Sequence, residues 1–307
     1  MEGGAVEHAA QYRKKQQRRS DWLWAYVMIA PTVLGLAYFY FWPIVQTIYF
    51  SFTKWGAFGK YKWAGLDNYE KLLDDPTVWK SLGNTFVYTF LSVPVSMAIS
   101  IFVAVLLNQK INGVSVYRTL YFLPVVTMPT AIAMVWKWLY HSEYGLINNL
   151  LSSFSIEGPL WINDPDIALY SLVIVAIWST VGYNMVIFLS GLQGIPRTYY
   201  EAAQIDGAGP YRQFFRITLP LLTPTIFFVM IISMINAFQV FDIILMMIGP
   251  QNSTIDDTQS LVYLFYHHAF VVDNKGYAAA IGVILLVIIL AVTIVQMRLQ
   301  KKWVHYE

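Results

Sequence analysis

The sequence predicts an all-α, polytopic membrane protein with six transmembrane helices, and three observations carry that prediction. Hydrophobic residues make up 57% of the 307-residue chain and charged residues only 12%, which moves it outside the soluble range. Uncharged apolar stretches recur that can supply the roughly 20 residues a helix needs to cross a bilayer core. The polar connections between them divide Lys and Arg unequally, as the two sides of a membrane do.

Residues 1–21 form a polar segment with a basic run at 13–19, ahead of the uncharged stretch 22–53. The apolar part over 23–42 is too long for a signal-peptide core and lacks a small-residue cleavage site after it, so it reads as a retained first span. A polar segment follows to Gly83, with a short interfacial helix over 65–73. The second span covers 84–108, with Pro94 inside it, and a short turn at 109–115 leads to a third over 117–138. Pro124 and Pro129 fall in that third span, so backbone groups are released there that neighbouring helices or a water-lined cavity must satisfy. A polar loop at 141–166 carries one short helix, and the fourth span runs over 167–192. The fifth is expected over 217–248, with Pro220 and Pro224 in its first turns. An amphipathic helix over 260–270 precedes the last span at 277–297, and residues 303–307 form a tail.

Six crossings put both termini on one side. Placing them in the cytoplasm leaves Lys54, Lys60, Lys62, Lys71, Lys80, Lys137 and Lys275 outside, seven of the 20 Lys and Arg, and thirteen inside. This orientation is the one the positive-inside rule favours.

The stretch 195–224, IPRTYYEAAQIDGAGPYRQFFRITLPLLTP, is a polar, glycine-broken segment between the fourth and fifth spans. Pro196 suits a first helical turn, Thr198 and Glu201 have capping-box spacing, and Gly207 supplies a left-handed stop. Pro210 then opens a second short helix over 211–215. Ala202, Ala203 and Ala208 keep the profile low for a close-approaching partner, while Tyr199, Tyr200, Phe214 and Phe215 offer apolar area. Glu201 fits a contact with that partner, a cap for its own helix, or both.

The string Glu201-Ala202-Ala203, Asp206-Gly207-Ala208, Ile217-x-Leu219-Pro220 resembles the EAA loop of binding-protein-dependent ABC importer permeases. That resemblance implies a coupling helix at about 195–217, seated in a cytoplasmic ATPase through Tyr200, Glu201, Ala202, Ala203, Asp206, Gly207 and Ala208. It covers about 22–302 as one permease domain. Asn68-Tyr69, Asn84-Thr85, the string 117–124 (YRTLYFLP) and Gly145-Leu146-Ile147-Asn148 are similar to the carbohydrate branch, which includes the maltose and glycerol-3-phosphate permeases. One departure is visible: Met247-Ile248-Gly249-Pro250 stands where that branch carries Leu-Thr-Gly-Gly-Gly-Pro.

Chemistry-bearing motifs are few. There is no G-x-x-x-x-G-K-[ST] phosphate loop, no H-E-x-x-H and no G-x-S-x-G. Zero cysteines exclude thiolate metal sites and cysteine nucleophiles, and adjacent His267 and His268 point to different helical faces with no further ligand pair nearby. A net charge of +2 does not suggest a nucleic-acid partner. The reading is a translocation subunit and not an enzyme, with no cofactor of its own.

Asp242 stands out as an acid near the outer end of the expected fifth span, and an intramembrane acid is a functional candidate by default. Helical spacing puts Asn236, Gln239 and Asp242 near one face. In the fourth span, Trp178, Ser179, Tyr183 and Asn184 offer aromatic rings with polar neighbours. Sugars present apolar C–H faces that stack on rings and hydroxyls that pair with amides or carboxylates. Similarity to the maltose permease supports Trp178 and Tyr183 as sugar contacts and matches Gln239 to an amide position.

Together these imply a subunit of an ATP-driven sugar importer in a bacterial or archaeal cytoplasmic membrane. Its expected partners are a second permease, two ATPase subunits that bind ATP and Mg, and an extracytoplasmic sugar-binding protein. The competing reading is an ion-coupled secondary transporter or channel that uses Asp242. Against it stand the single intramembrane acid and the lack of a visible inverted repeat.

Overall fold

The computed structural model describes residues 22–55, 60–109 and 112–304. The basic run at 13–19 and the tail residues 305–307 lie outside the described residues.

Helix α1 is continuous from Trp22 to Ser51, with a π turn at Ala37–Phe41. Trp22, Phe39 and Phe41 are more than half exposed, so this helix keeps its apolar surface for lipid or protein. A small antiparallel hairpin follows, β1 (Thr53–Trp55) with β2 (Tyr61–Trp63), in a segment read from sequence as merely polar. Asn68 and Tyr69 pin it in place. The Asn68 Nδ2 group donates to the Ser51 and Thr53 carbonyls at 2.9 Å each, and Tyr69 Oη shares a 2.7 Å hydrogen bond with Ser51 Oγ.

The interfacial helix α2 spans Asp67–Asp74, and α3 runs from Pro76 to Leu107, starting well before the expected second span. Its early start has a local cause: Asp75 accepts from Thr77 N at 2.9 Å and caps the helix, with Pro76 in the first turn where its missing N–H costs nothing. Pro94 lies inside α3 without ending it.

The third span departs from expectation. It is two helices, α4 (Val114–Val126) and α5 (Pro129–Leu139), bent by 101°. Met128 precedes proline, where the helical region is sterically disfavoured, and sits at φ −59°, ψ 134°. Thr127 Oγ1 donates to the Leu123 carbonyl at 2.8 Å next to the break.

Helix α6 (Leu146–Ser153) lies in the following loop, and α7 (Ala168–Gly194) matches the fourth span. Next come α8 (Arg197–Ile205), α9 (Pro210–Leu221) and α10 (Thr223–Phe238). The expected fifth span is therefore corrected as well. Helices α9 and α10 are bent by 64° between Pro220 and Pro224, and α10 stops at Phe238. Near that bend Thr223 Oγ1 donates to the Pro220 carbonyl at 2.6 Å, which Pro224 could not do. After a break at 239–241, α11 (Asp242–Met247) resumes, ending at Gly249 with φ +76°. The chain closes with α12 (Ile255–Thr258), α13 (Leu261–Val271) and α14 (Lys275–Trp303).

Four helices, α1, α3, α7 and α14, are each long and apolar enough to cross a membrane, and the count reaches six when each bent pair is one span. The centre of the fold is α3 packed along α7. Helix α4 lies on α7, close enough that a Cβ on Gly182 would come within 1.9 Å of the Tyr121 carbonyl. Met97, Met185, Phe188, Leu222 and Phe238 form one buried cluster where α3, α7 and α10 meet. A second cluster, with Leu172, Val175, Ile244 and Met247, joins α7 to α11.

Candidate functional site

Two polar regions among the described residues bear on function, a cavity and the loop at 195–224. The cavity encloses about 430 Å³ and is lined from α3, α4, α5, α7, α10 and α11. Its position follows from the chain breaks, since Thr127 and Pro129 come from the α4–α5 bend and Gln239, Val240 and Phe241 from the end of α10.

Tyr183, Asn184, Asn236, Gln239 and Asp242 all line this cavity. They converge by a different route from the one the helical spacing suggests. Asn236 is on α10, Gln239 is its C-terminal cap and Asp242 begins α11, so no single helical face carries all three. The break is held open from outside by Ser260, whose Oγ donates to the buried Val240 carbonyl at 2.6 Å.

Asn184 is 3% exposed, and its Nδ2 has no hydrogen-bond partner among the described residues. Tyr183, one residue earlier, is 45% exposed and presents a ring to the same cavity. Trp178 is not part of the lining; its ring meets Trp136 edge-on at 5.5 Å. Sequence reasoning missed Tyr88, Ser92 and Ser96 of α3, Thr127 of the break, Thr180 of α7 and Ser233 of α10, which belong to the polar wall. The Ser/Thr pattern along α3, with Ser92, Ser96 and Ser100 at helical spacing, was the available signal.

In the loop, α8 ends at Ile205 and Gly207 takes φ +73°. Ala208 N donates to the Ala203 carbonyl at 2.8 Å and Gly207 N to Gln204 O at 3.0 Å, the paired bonds of a Schellman stop. The start of α8 differs from the expected capping box. Pro196 holds the N-cap position, no side chain caps the helix, and Thr198 is already inside it. The Glu201 side chain is exposed and makes no hydrogen bond or ion pair among the described residues.

Glu201, Ala202 and Asp206 are exposed, while Ala203 and Ala208 are half-buried. The most exposed apolar groups here are Ile205 at 87% and Tyr211 at 85%, neither of which the sequence singled out. Tyr200 instead turns inward, where its hydroxyl and Thr218 Oγ1 are 3.0 Å apart. Gln213 Nε2 donates to the Ala208 carbonyl at 2.8 Å. Together these bonds fasten the loop to α9, which takes a π turn at Phe214–Thr218 before entering α10.

His267 and His268 lie on the π turn His267–Val271, and no group of three His, Cys, Asp or Glu among the described residues could hold a metal ion. Burial lowers the pKa of His268, the neighbouring His267 adds to that, and Asp75 opposes it.

A family model described as binding-protein-dependent transport system inner membrane component matches residues 76–305. The chain belongs to that family. It is therefore an ABC transporter permease, a translocation component of an inner membrane and not an enzyme. A probable ABC transporter permease of Bacillus subtilis, YesP, is 36% identical, with 96% of each chain covered. The sn-glycerol-3-phosphate transport system permease UgpA of Pectobacterium atrosepticum is 32% identical, covering 94% of this chain and 97% of that one. A crystal structure of a bacterial alginate ABC transporter, in complex with its pentasaccharide-bound periplasmic protein, contains a chain of the same fold. It superposes with a TM-score of 0.83 at 21% identity, over 94% of this chain and 96% of that one.

Proposed function

We propose that this permease is one half of the pore of an ATP-driven sugar importer. A second permease supplies the other half, two cytoplasmic ATPase subunits bind ATP and Mg, and an extracytoplasmic binding protein delivers the sugar. Both termini are cytoplasmic. The observation that carries this reading is the convergence of Tyr183, Asn184, Asn236, Gln239 and Asp242 on one cavity between the helices. A ring face with amide and hydroxyl groups around it suits a sugar, whose C–H faces stack and whose hydroxyls both donate and accept. Trp178 backs this wall from its place against Trp136.

The loop couples the cavity to ATP. Glu201, Ala202, Ala203, Asp206, Gly207 and Ala208 form the seat for an ATPase, with Ile205 and Tyr211 as apolar anchors and Tyr200 behind them as the tie to the fold. Closure of the ATPases moves α8, and the Tyr200–Thr218 and Gln213–Ala208 bonds carry that motion into α9 and α10, whose far end lines the cavity.

The test is uptake into proteoliposomes holding the assembled importer. Sugar import that requires ATP inside, and not an ion gradient, supports this function. Import driven by an ion gradient without ATP favours an ion-coupled transporter acting through Asp242.

A further inference from the structure

The cavity wall also speaks to the charge of what passes. Among its lining residues there is no Lys, Arg or His, and Asp242 is the single Asp or Glu. The remaining polar groups are hydroxyls and amides. Phosphate, sulfonate and carboxylate ligands are ordinarily held by Arg or Lys or by free helix N-termini. Two helix starts reach this cavity and neither offers such a site. At the start of α5 Pro129 has no N–H and the Ala131 and Ile132 N–H groups already donate to the Met128 carbonyl, while α11 is only the six residues Asp242–Met247 and starts with an acid.

Asn184 independently points to a ligand in this cavity. It lies on the cavity, is 3% exposed, and its Nδ2 donor has no protein partner among the described residues. A buried donor is costly when unpaired, and a hydroxyl oxygen of a ligand would satisfy it without bringing a charge.

We propose that this half of the pore binds uncharged, polyhydroxylated sugars and disfavours phosphorylated or uronate sugars, with Asp242 as the charge filter. The proposal rests on the reading of the cavity as the sugar path. Its contrast is with the anionic cargoes, glycerol 3-phosphate and alginate, after which similar transporters are named.

The chain has no cysteine, so a single Thr180→Cys on α7 or Ser233→Cys on α10 is its one thiol, and label counted on this chain after the subunits are separated reports on the cavity. In the assembled importer, maleimide labelling of each variant is measured with glucose or maltotriose and with glucuronate, glucose 6-phosphate or trigalacturonate. The neutral sugars are expected to protect both cysteines, and the anions to protect about fivefold less well, because the exposed Asp242 still repels a like charge close to it although solvent screens part of that repulsion. Adding Asp242→Asn should bring protection by the anions up toward that by the neutral sugars. Equal protection by both classes with Asp242 intact overturns the charge filter and leaves the sugar path standing. Labelling of both cysteines that no sugar alters overturns the path itself, and the filter with it.

Discussion

The loop at 195–224 and the cavity are both polar interruptions of an apolar protein, yet they are built in opposite ways. The loop is made by neighbours in sequence. Gly207 stops α8 and Pro210 starts α9, and the exposed groups Glu201, Ile205 and Tyr211 point away from the rest of the fold. The cavity is made by residues far apart, from Ser92 to Asp242, brought together by helix packing and by breaks in helices that composition alone reads as continuous. A single backbone position can therefore disable the loop, whereas the cavity should lose function in steps as its groups are removed.

The largest effect is expected at Gly207. Its φ of +73° is strained for a branched side chain, although a Cβ there meets no atom within 4 Å, so the damage is to backbone conformation and not to packing. Gly207→Val should abolish coupled uptake while the chain still inserts and assembles, as measured by ATP-dependent import beside membrane content. Normal import would remove the loop from the mechanism.

Cavity substitutions come next. Tyr183→Ala removes the exposed ring, and Asn184→Leu removes the unpaired amide at similar volume. Stacking on an excluded-water ring contributes about 1 kcal/mol. Each change should lower uptake roughly tenfold or less and shift sugar preference, with ATPase activity in the presence of the binding protein largely kept. Trp178→Ala should change uptake less than Tyr183→Ala, because Trp178 meets Trp136 and not the cavity. The reverse order would move the path toward the outer face of α7.

The smallest effect belongs to the join between the two regions. Tyr200→Phe keeps the ring and deletes only the bond to Thr218, about 1 kcal/mol. Uptake should fall slightly while ATP hydrolysis does not, so more ATP is spent per sugar moved. An unchanged ratio would show that motion passes elsewhere.

These contrasts also explain what the sequence could disclose. The loop was legible because its shape rests on local rules for Gly207 and Pro210, and the long helices α1, α3, α7 and α14 because hydropathy is a local sum. Its capping box was not, since Thr198 and Glu201 have the right spacing but Pro196 takes the cap position. Pro124, Pro129, Pro220 and Pro224 announced released backbone groups, yet spacing alone does not say whether a proline bends a span or, as Pro94 does, stays within it. The break after Phe238 has no proline at all and depends on Ser260, over twenty positions further along the chain, so no local pattern marks it. Asn236, Gln239 and Asp242 line one cavity through that break and not through the shared helical face their spacing suggests.

The central claim is that ATP acts on the loop and is felt at the cavity. The most direct measurement is maleimide labelling of Ser233→Cys in the assembled importer, from the outside and from the cytoplasmic side, with and without ATP held unhydrolysed. Access is predicted to change sides when ATP is bound, and Gly207→Val is predicted to freeze it. Labelling indifferent to ATP in the otherwise native chain, or still switching sides in Gly207→Val, would contradict the account.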